Sequence, residues 1–296
     1  MRSRGIMTIL CIGVLALCGC ANTEKEEVVQ KRPIVADSVE EEKPEPVQKP
    51  TKDIVEFEQR VSEYIGKKDN FNYTEMQKVA MNLDREPYTD TTEVEDLDSQ
   101  TLLVNKYYHL PMDYVPQDLI GVTSSGENGT VKMRKEAGNA FEKLVAWGKK
   151  NGIDISACSA FRDANYQANL WNGGKAQGGI EYADKWWTRA GYSEHQTGLA
   201  VDIRLFNDRS DLDAVRNYPN EYQNLLKNMA NFGFILRYPD GKKGITLIEP
   251  ESWHLRYVGI DVAKEIYEKG ITFEQYKADE YLENLYKDFP EELARG

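Results

Sequence analysis

The stretch Ser193-Glu194-His195-Gln196-Thr197-Gly198-Leu199-Ala200-Val201-Asp202-Ile203-Arg204-Leu205 decides how the rest of the chain is read. Leu199, Val201, Ile203 and Leu205 alternate strictly with Ala200, Asp202 and Arg204, which is the period of a half-buried strand. Successive side chains of a strand point to opposite faces, so Val201 and Ile203 take the core and Asp202 points the other way. That is a cleft-side position for a carboxylate. His195 stands seven residues earlier, on a Gly-containing approach to the strand, close enough to fold back beside Asp202.

The chain holds three histidines, His109, His195 and His254. The third lies in Glu251-Ser252-Trp253-His254-Leu255-Arg256-Tyr257, again beside a carboxylate. Two histidines and an aspartate make a three-ligand set for zinc, and catalytic zinc sites use three protein ligands and keep one position open. Glu251, three residues before His254, is then a free carboxylate near the metal, placed to take a proton from water. His109 has no such company and reads as structural or surface. Glu251-x-x-His254 also resembles half of a di-iron bundle site, but the second copy and the further helical glutamates are absent from the sequence. Cys158, next to Ser159 in an apolar run, reads as a small core residue rather than a nucleophile.

Outward from these clusters the texture is mixed. Met133, Ala137, Phe141, Leu144 and Val145 predict a helix ending near Gly152, and residues 153–160 a strand. Asp163 is placed to cap a helix through Tyr166, Leu170 and Trp171. Tyr222, Leu225, Leu226 and Met229 predict another, stopped at Gly233. Residues 234–238 and 245–248 flank a Pro-Asp-Gly loop and read as a hairpin, and a strand through 253–258 with helices after Asp261 completes the domain. The expected class is α+β: a small antiparallel sheet carrying the metal site, helices packed to one side, and a short helical appendage in front. That appendage, over 53–100, shows helical spacing at Ile54, Phe57, Val61 and Tyr64, then a second helix capped by Thr74. The metal-site domain is expected over 101–275 and a helical tail over 276–296.

Taken as an ordered set, Ser-x-His-x-x-Gly-x-Ala-x-Asp followed by Glu-x-x-His-x-Arg-Tyr resembles the D-alanyl-D-alanine carboxypeptidase family of the VanY and L,D-carboxypeptidase B type. That family is grouped with lysostaphin-like peptidases and the Hedgehog signalling domain. Ser159-Ala160-Phe161-Arg162-Asp163 with Gln167, and Leu236-Arg237-Tyr238-Pro239-Asp240-Gly241-Lys242, extend the likeness over residues 103–259. The resemblance implies one zinc per chain on His195, Asp202 and His254, with Glu251 as general base. It also implies that Arg162, assisted by Gln167 and Ser193, holds the terminal carboxylate of a peptide, a task that suits the planar, always charged guanidinium fork. The substrate it implies is a peptidoglycan stem peptide ending in D-Ala, with the L,D bond slightly favoured over the D,D bond. The rivals are an endopeptidase, which has no terminal carboxylate for Arg162 to hold, and a zinc-stabilised binding module, which has no use for Glu251. Ala160 and Phe161 depart from the usual Gly and Tyr, and residues 173–192, with Trp186 and Trp187, from the usual approach to the motif.

The other end of the chain speaks for location. Arg2 and Arg4 precede an apolar run over 6–17, too short for a membrane span, and Leu17-Cys18-Gly19-Cys20 resembles a lipobox. Residues 1–19 are therefore expected to be a lipoprotein signal peptide, with Cys20 acylated, an extracytoplasmic location at the membrane, and a disordered Glu-, Lys- and Pro-rich tether over 20–52. With Cys11 and Cys18 in the leader, no disulfide framework is left. The formal net charge of −12 excludes a nucleic-acid partner and electrostatic adhesion to an anionic membrane, so a lipid has to anchor the chain, which is expected to be a monomer.

Overall fold

The computed structural model describes residues 51–66 and 72–293; the leader, Cys20 and the tether as far as residue 50 lie outside the described residues. Helix α1 (Lys52–Ile65) opens on the Thr51 hydroxyl, which accepts from Ile54 N–H, and closes at Gly66 with φ 65°. Helix α2 (Tyr73–Ala80) is capped by Asn72 rather than Thr74. The Asn72 side chain accepts from Glu75 N–H at 3.2 Å and Glu75 accepts from Asn72 N–H at 3.0 Å, a reciprocal pair that Thr74, already inside the turn, cannot make. Two short ladders follow, β1 (Thr92–Glu93) parallel to β2 (Tyr108–His109), and β3 (Leu119–Gly121) antiparallel to β4 (Lys132–Arg134).

Helix α3 (Lys135–Lys150) buries Ala137, Phe141 and Leu144 on one stripe and gives way through Gly152 to β5 (Ile155–Ser159). Helix α4 (Ala164–Trp186) starts where the Asp163 carboxylate accepts from Tyr166 N–H at 2.7 Å, and it kinks at Gly179, whose φ of 83° suits glycine. Strand β6 (Ala200–Leu205) leads to α5 (Pro219–Asn228), β7 (Phe234–Tyr238), the single turn α6 (Lys243–Thr246) and β8 (Glu251–Tyr257). Helices α7 (Ile260–Lys269), α8 (Phe273–Leu285) and α9 (Pro290–Leu293) complete the described chain.

The main sheet is antiparallel throughout, in the order β5-β6-β8-β7. The expected α+β class is found, with two corrections. Residues 245–248 are not the hairpin partner of β7: Lys243–Thr246 forms a helical turn, Leu247 takes φ 60°, and the chain re-enters the sheet at Glu251, so β7 pairs with β8. Strand β6 is buried on both faces rather than one. Val201, Ile203 and Leu205 join Phe141, Leu144, Leu225 and Phe234 in the core, while Ala200, Asp202 and Arg204 are covered on the cleft side by polar neighbours. The second face is buried because Arg162 closes over Asp202 and Glu127 over Arg204, not because the strand is central.

A second apolar cluster forms from Ile54, Phe57, Val61, Met76 and Val79 with Leu282 and Tyr286. Helices α1 and α2 therefore bury their stripes against α8, far away in sequence. None of the described helices is long and apolar enough to cross a membrane.

Candidate metal centre

The ladder sets the centre. Asp202 on β6 lies directly across from His254 on β8, so two functional side chains on adjacent strands share one face of the sheet. His195 comes from a 3-10 turn, Glu194–Thr197, that leads into β6. Ser193 caps this turn, its Oγ accepting from His195 N–H at 3.3 Å. Gly198 ends it at φ 70°, where an added Cβ would stand 3.0 Å from Arg134 Cγ and 3.1 Å from Leu119 Cδ2. The glycine thus permits both the left-handed turn and close packing on β3 and β4.

His195, Asp202 and His254 are all buried, and one ligand atom from each lies within 4.8 Å of the others. His195 Nδ1 is 2.6 Å from the Ala160 carbonyl, so it carries the proton and donates. The lone pair of Nε2 then faces the cluster. His254 turns the other ring nitrogen inward: Nδ1 is 3.3 Å from Asp202 Oδ1 and 3.2 Å from Glu251 Oε2. Asp202 Oδ1 has no hydrogen-bond partner despite its burial. Two imidazole nitrogens and an orphaned carboxylate oxygen converging in this way fit zinc, whose tetrahedral sites favour His and carboxylate donors.

Charge follows burial and neighbours. Burial, with the Arg162 charge next, pushes the His195 imidazole down to about 4 and keeps it neutral. Burial works against charge on Asp202, but His195 and Arg162 outweigh it and hold that carboxyl well below its usual range. For Glu251 burial prevails and the carboxyl is raised. His254 loses charge to burial but is pushed up on balance by Asp202, Glu194 and Glu251.

Arg162 sits in the loop between β5 and α4, with its Nε donating to Ser159 Oγ at 3.0 Å and Nη1 to Gln167 Oε1 at 3.5 Å. Its Nη2 reaches His195 Nε2 at 2.6 Å and Asp202 Oδ2 at 2.5 Å. Gln167 is fixed in turn by donating to the Thr188 carbonyl at 2.8 Å. All seven residues expected at the site (Arg162, Gln167, Ser193, His195, Asp202, Glu251, His254) line one cavity of about 410 Å³. Tyr166, Leu170, Tyr182, Trp186 and Trp253 form much of its wall. Trp187 lines it as well, but its ring also fills the space above Gly174, where a Cβ would come within 2.5 Å. His109 is elsewhere, tilted against Tyr192 with ring centres 5.2 Å apart. Cys158 is buried, which pushes its thiol up to about 12 and makes it a poor nucleophile.

Two residues at the site escape a reading of spacing. Tyr238 packs its ring edge-on to His254, with ring centres 5.0 Å apart. Glu194 sits behind the same histidine, its side chain fully buried between Arg237 and Arg256. The available signal was the pair of arginines in strands β7 and β8, which need buried carboxylates.

A family model described as VanY, D-alanyl-D-alanine carboxypeptidase, matches residues 130–260. The bifunctional D-Ala-D-Ala dipeptidase and carboxypeptidase VanXYC of Enterococcus gallinarum is 32% identical over 191 residues, covering 63% of this chain and 97% of that protein. Three other curated relatives are matched over 59 to 65% of their own length. Among solved structures, the LD-carboxypeptidase LdcB superposes with a TM-score of 0.60 at 34% identity, over 64% of this chain and 90% of the other. The vancomycin-resistance D,D-pentapeptidase VanY, solved with Zn(II), gives 0.51 at 31% identity, over 60% and 98%.

Proposed function

The chain belongs to the VanY family of D-alanyl-D-alanine carboxypeptidases, and from there we propose that it is a zinc-dependent carboxypeptidase removing a C-terminal D-Ala from peptidoglycan stem peptides. The observation that carries this reading is the convergence of His195 Nε2, Asp202 Oδ1 and His254 Nδ1 with the Glu251 carboxylate at the edge of the group. His195, Asp202 and His254 would hold one zinc ion, which when bound supplies Lewis-acid polarisation of a carbonyl and acidification of water. Glu251, raised by burial, accepts a proton from the attacking water and returns it to the leaving amine. Arg162, steadied by Ser159 and Gln167, turns its guanidinium from Asp202 to the terminal carboxylate of the peptide, beside the Ser193 hydroxyl. Tyr166, Leu170, Tyr182 and Trp186 of α4 give one wall of the cleft an apolar surface that a bound peptide would cover.

Within this activity we take the L,D bond, tetrapeptide to tripeptide, ahead of the D,D bond. The support is the higher TM-score and identity of the LD-carboxypeptidase. The enzyme would work outside the cytoplasm, held to the membrane by an acylated Cys20. Its exopeptidase character is tested by amidating the substrate's C-terminus, which removes the charge and leaves the scissile bond. The free acid should be cut ~10-fold faster or more if the Arg162 pair contributes over ~1.4 kcal/mol, and Arg162→Ala should narrow that preference. Equal cleavage of acid and amide by the wild type favours an endopeptidase instead.

A further inference from the structure

Glu194 stands between the serine and the histidine of the Ser-x-His motif, a place where a solvated residue would pass unnoticed. Instead its side chain is completely buried. Oε1 accepts from Arg237 Nε at 2.8 Å and from Arg256 Nη1 at 2.8 Å. Both arginines are anchored independently: Arg237 by the Glu274 carboxylate of α8, at 2.9 and 2.5 Å, and Arg256 by the carbonyls of Gln100 and Leu102, at 3.0 and 2.7 Å. One oxygen of Glu194 is therefore fixed. The other, Oε2, has no hydrogen-bond partner. It faces His254 Nε2 at 3.7 Å, and that nitrogen is also buried and unpartnered.

We infer that Glu194 is a positioning residue that selects which edge of the His254 ring faces the metal cluster. The ring planes of His195 and Tyr238 flank His254 at 4.8 and 5.0 Å and restrict its tilt. Neither distinguishes the ring from its flipped form, which would put Cδ2 where Nδ1 now faces Asp202 and turn Nε2 away from Glu194. A carboxylate held rigidly behind Nε2 makes that choice, because it places the Nε2 proton opposite the metal and leaves Nδ1 as the donor. Carboxylates behind ligating histidines fix ring and tautomer in this manner. The two arginines hold the carboxylate still and offset its burial.

This inference rests on the zinc reading above, and its test separates the two. Zinc affinity of the full-length protein, purified in detergent, is measured by competition with a chromophoric chelator, and Co(II) absorption reports the ligand geometry. Glu194→Gln should weaken zinc by ~10- to 100-fold and alter the Co(II) spectrum. Glu194→Asp keeps the charge for both arginines but withdraws it from the ring, and should loosen zinc in the same direction. Glu274→Gln strips a carboxylate from the same Arg237 without touching His254. It should lower the melting temperature and cost far less zinc affinity than Glu194→Gln, because Arg256 still holds Glu194 Oε1. If Glu194→Gln fails to fold, Glu194→Asp decides. Wild-type affinity in a folded Glu194 variant, or equal loss in Glu274→Gln, would overturn the positioning role alone. A wild-type protein that binds no zinc would overturn both readings.

Discussion

Glu251 and Asp202 are carboxylates at nearly the same distance from His254 Nδ1, 3.2 and 3.3 Å, yet their surroundings push them apart. Asp202 has Arg162 and His195 beside it and stays ionised, which suits a ligand. Glu251 is governed by burial, which raises it toward the range where a base can take up and return a proton. The two roles therefore respond differently to a neutral isostere. Glu251→Gln should retain its zinc, measured by atomic absorption, while turnover falls by ~100-fold or more. Loss of the metal in this variant would make Glu251 a ligand. The residues of this group were legible in the sequence because histidine is scarce and each one sits at a fixed interval from an acid. Glu194 was not legible, since nothing local says that two arginines from other strands close over it.

At the scale of elements, the site depends on where β6 begins. The alternation of Leu199, Val201, Ile203 and Leu205 was enough to aim Asp202 at the cleft, and Gly198 explains how His195 returns beside it. Gly198→Ala places a Cβ at φ 70° against Arg134 and Leu119. The left-handed conformation costs about 1–2 kcal/mol for a non-glycine residue, before any repacking. A lower melting temperature with weakened zinc binding is the expected result; a lower melting temperature with wild-type zinc affinity would mean that the turn does not place His195. Residues 245–248 read as a hairpin partner of β7 because they are apolar and follow a turn signal, as an edge strand would. Their backbone closes into the α6 turn instead, and Glu251 takes the place in the ladder. Likewise Asn72, not Thr74, caps α2, a difference decided by the reciprocal bond with Glu75 that propensity does not rank.

Over the whole molecule, the long-range packing is what sequence reading could not supply. Spacing marks the stripes of α1 and α2, but not that α8 receives them some 200 residues later, nor that α8 also sends Glu274 to Arg237 behind the site. At this scale the proposed anchor also becomes testable. A chain of net charge −12 has little electrostatic attraction to an anionic surface, so membrane attachment should depend on acyl chains at Cys20. Cys20→Ser should move the protein from the membrane to the soluble fraction on centrifugation, and continued attachment would point to an uncleaved leader. The central claim, a zinc-dependent carboxypeptidase, is tested most directly by mass spectrometry of purified tetrapeptide and pentapeptide muropeptides incubated with the protein. The account predicts loss of a single C-terminal alanine, faster from the tetrapeptide, abolished by chelation and restored by zinc. Undiminished cleavage by the metal-free protein, or cuts only at internal bonds, would contradict it.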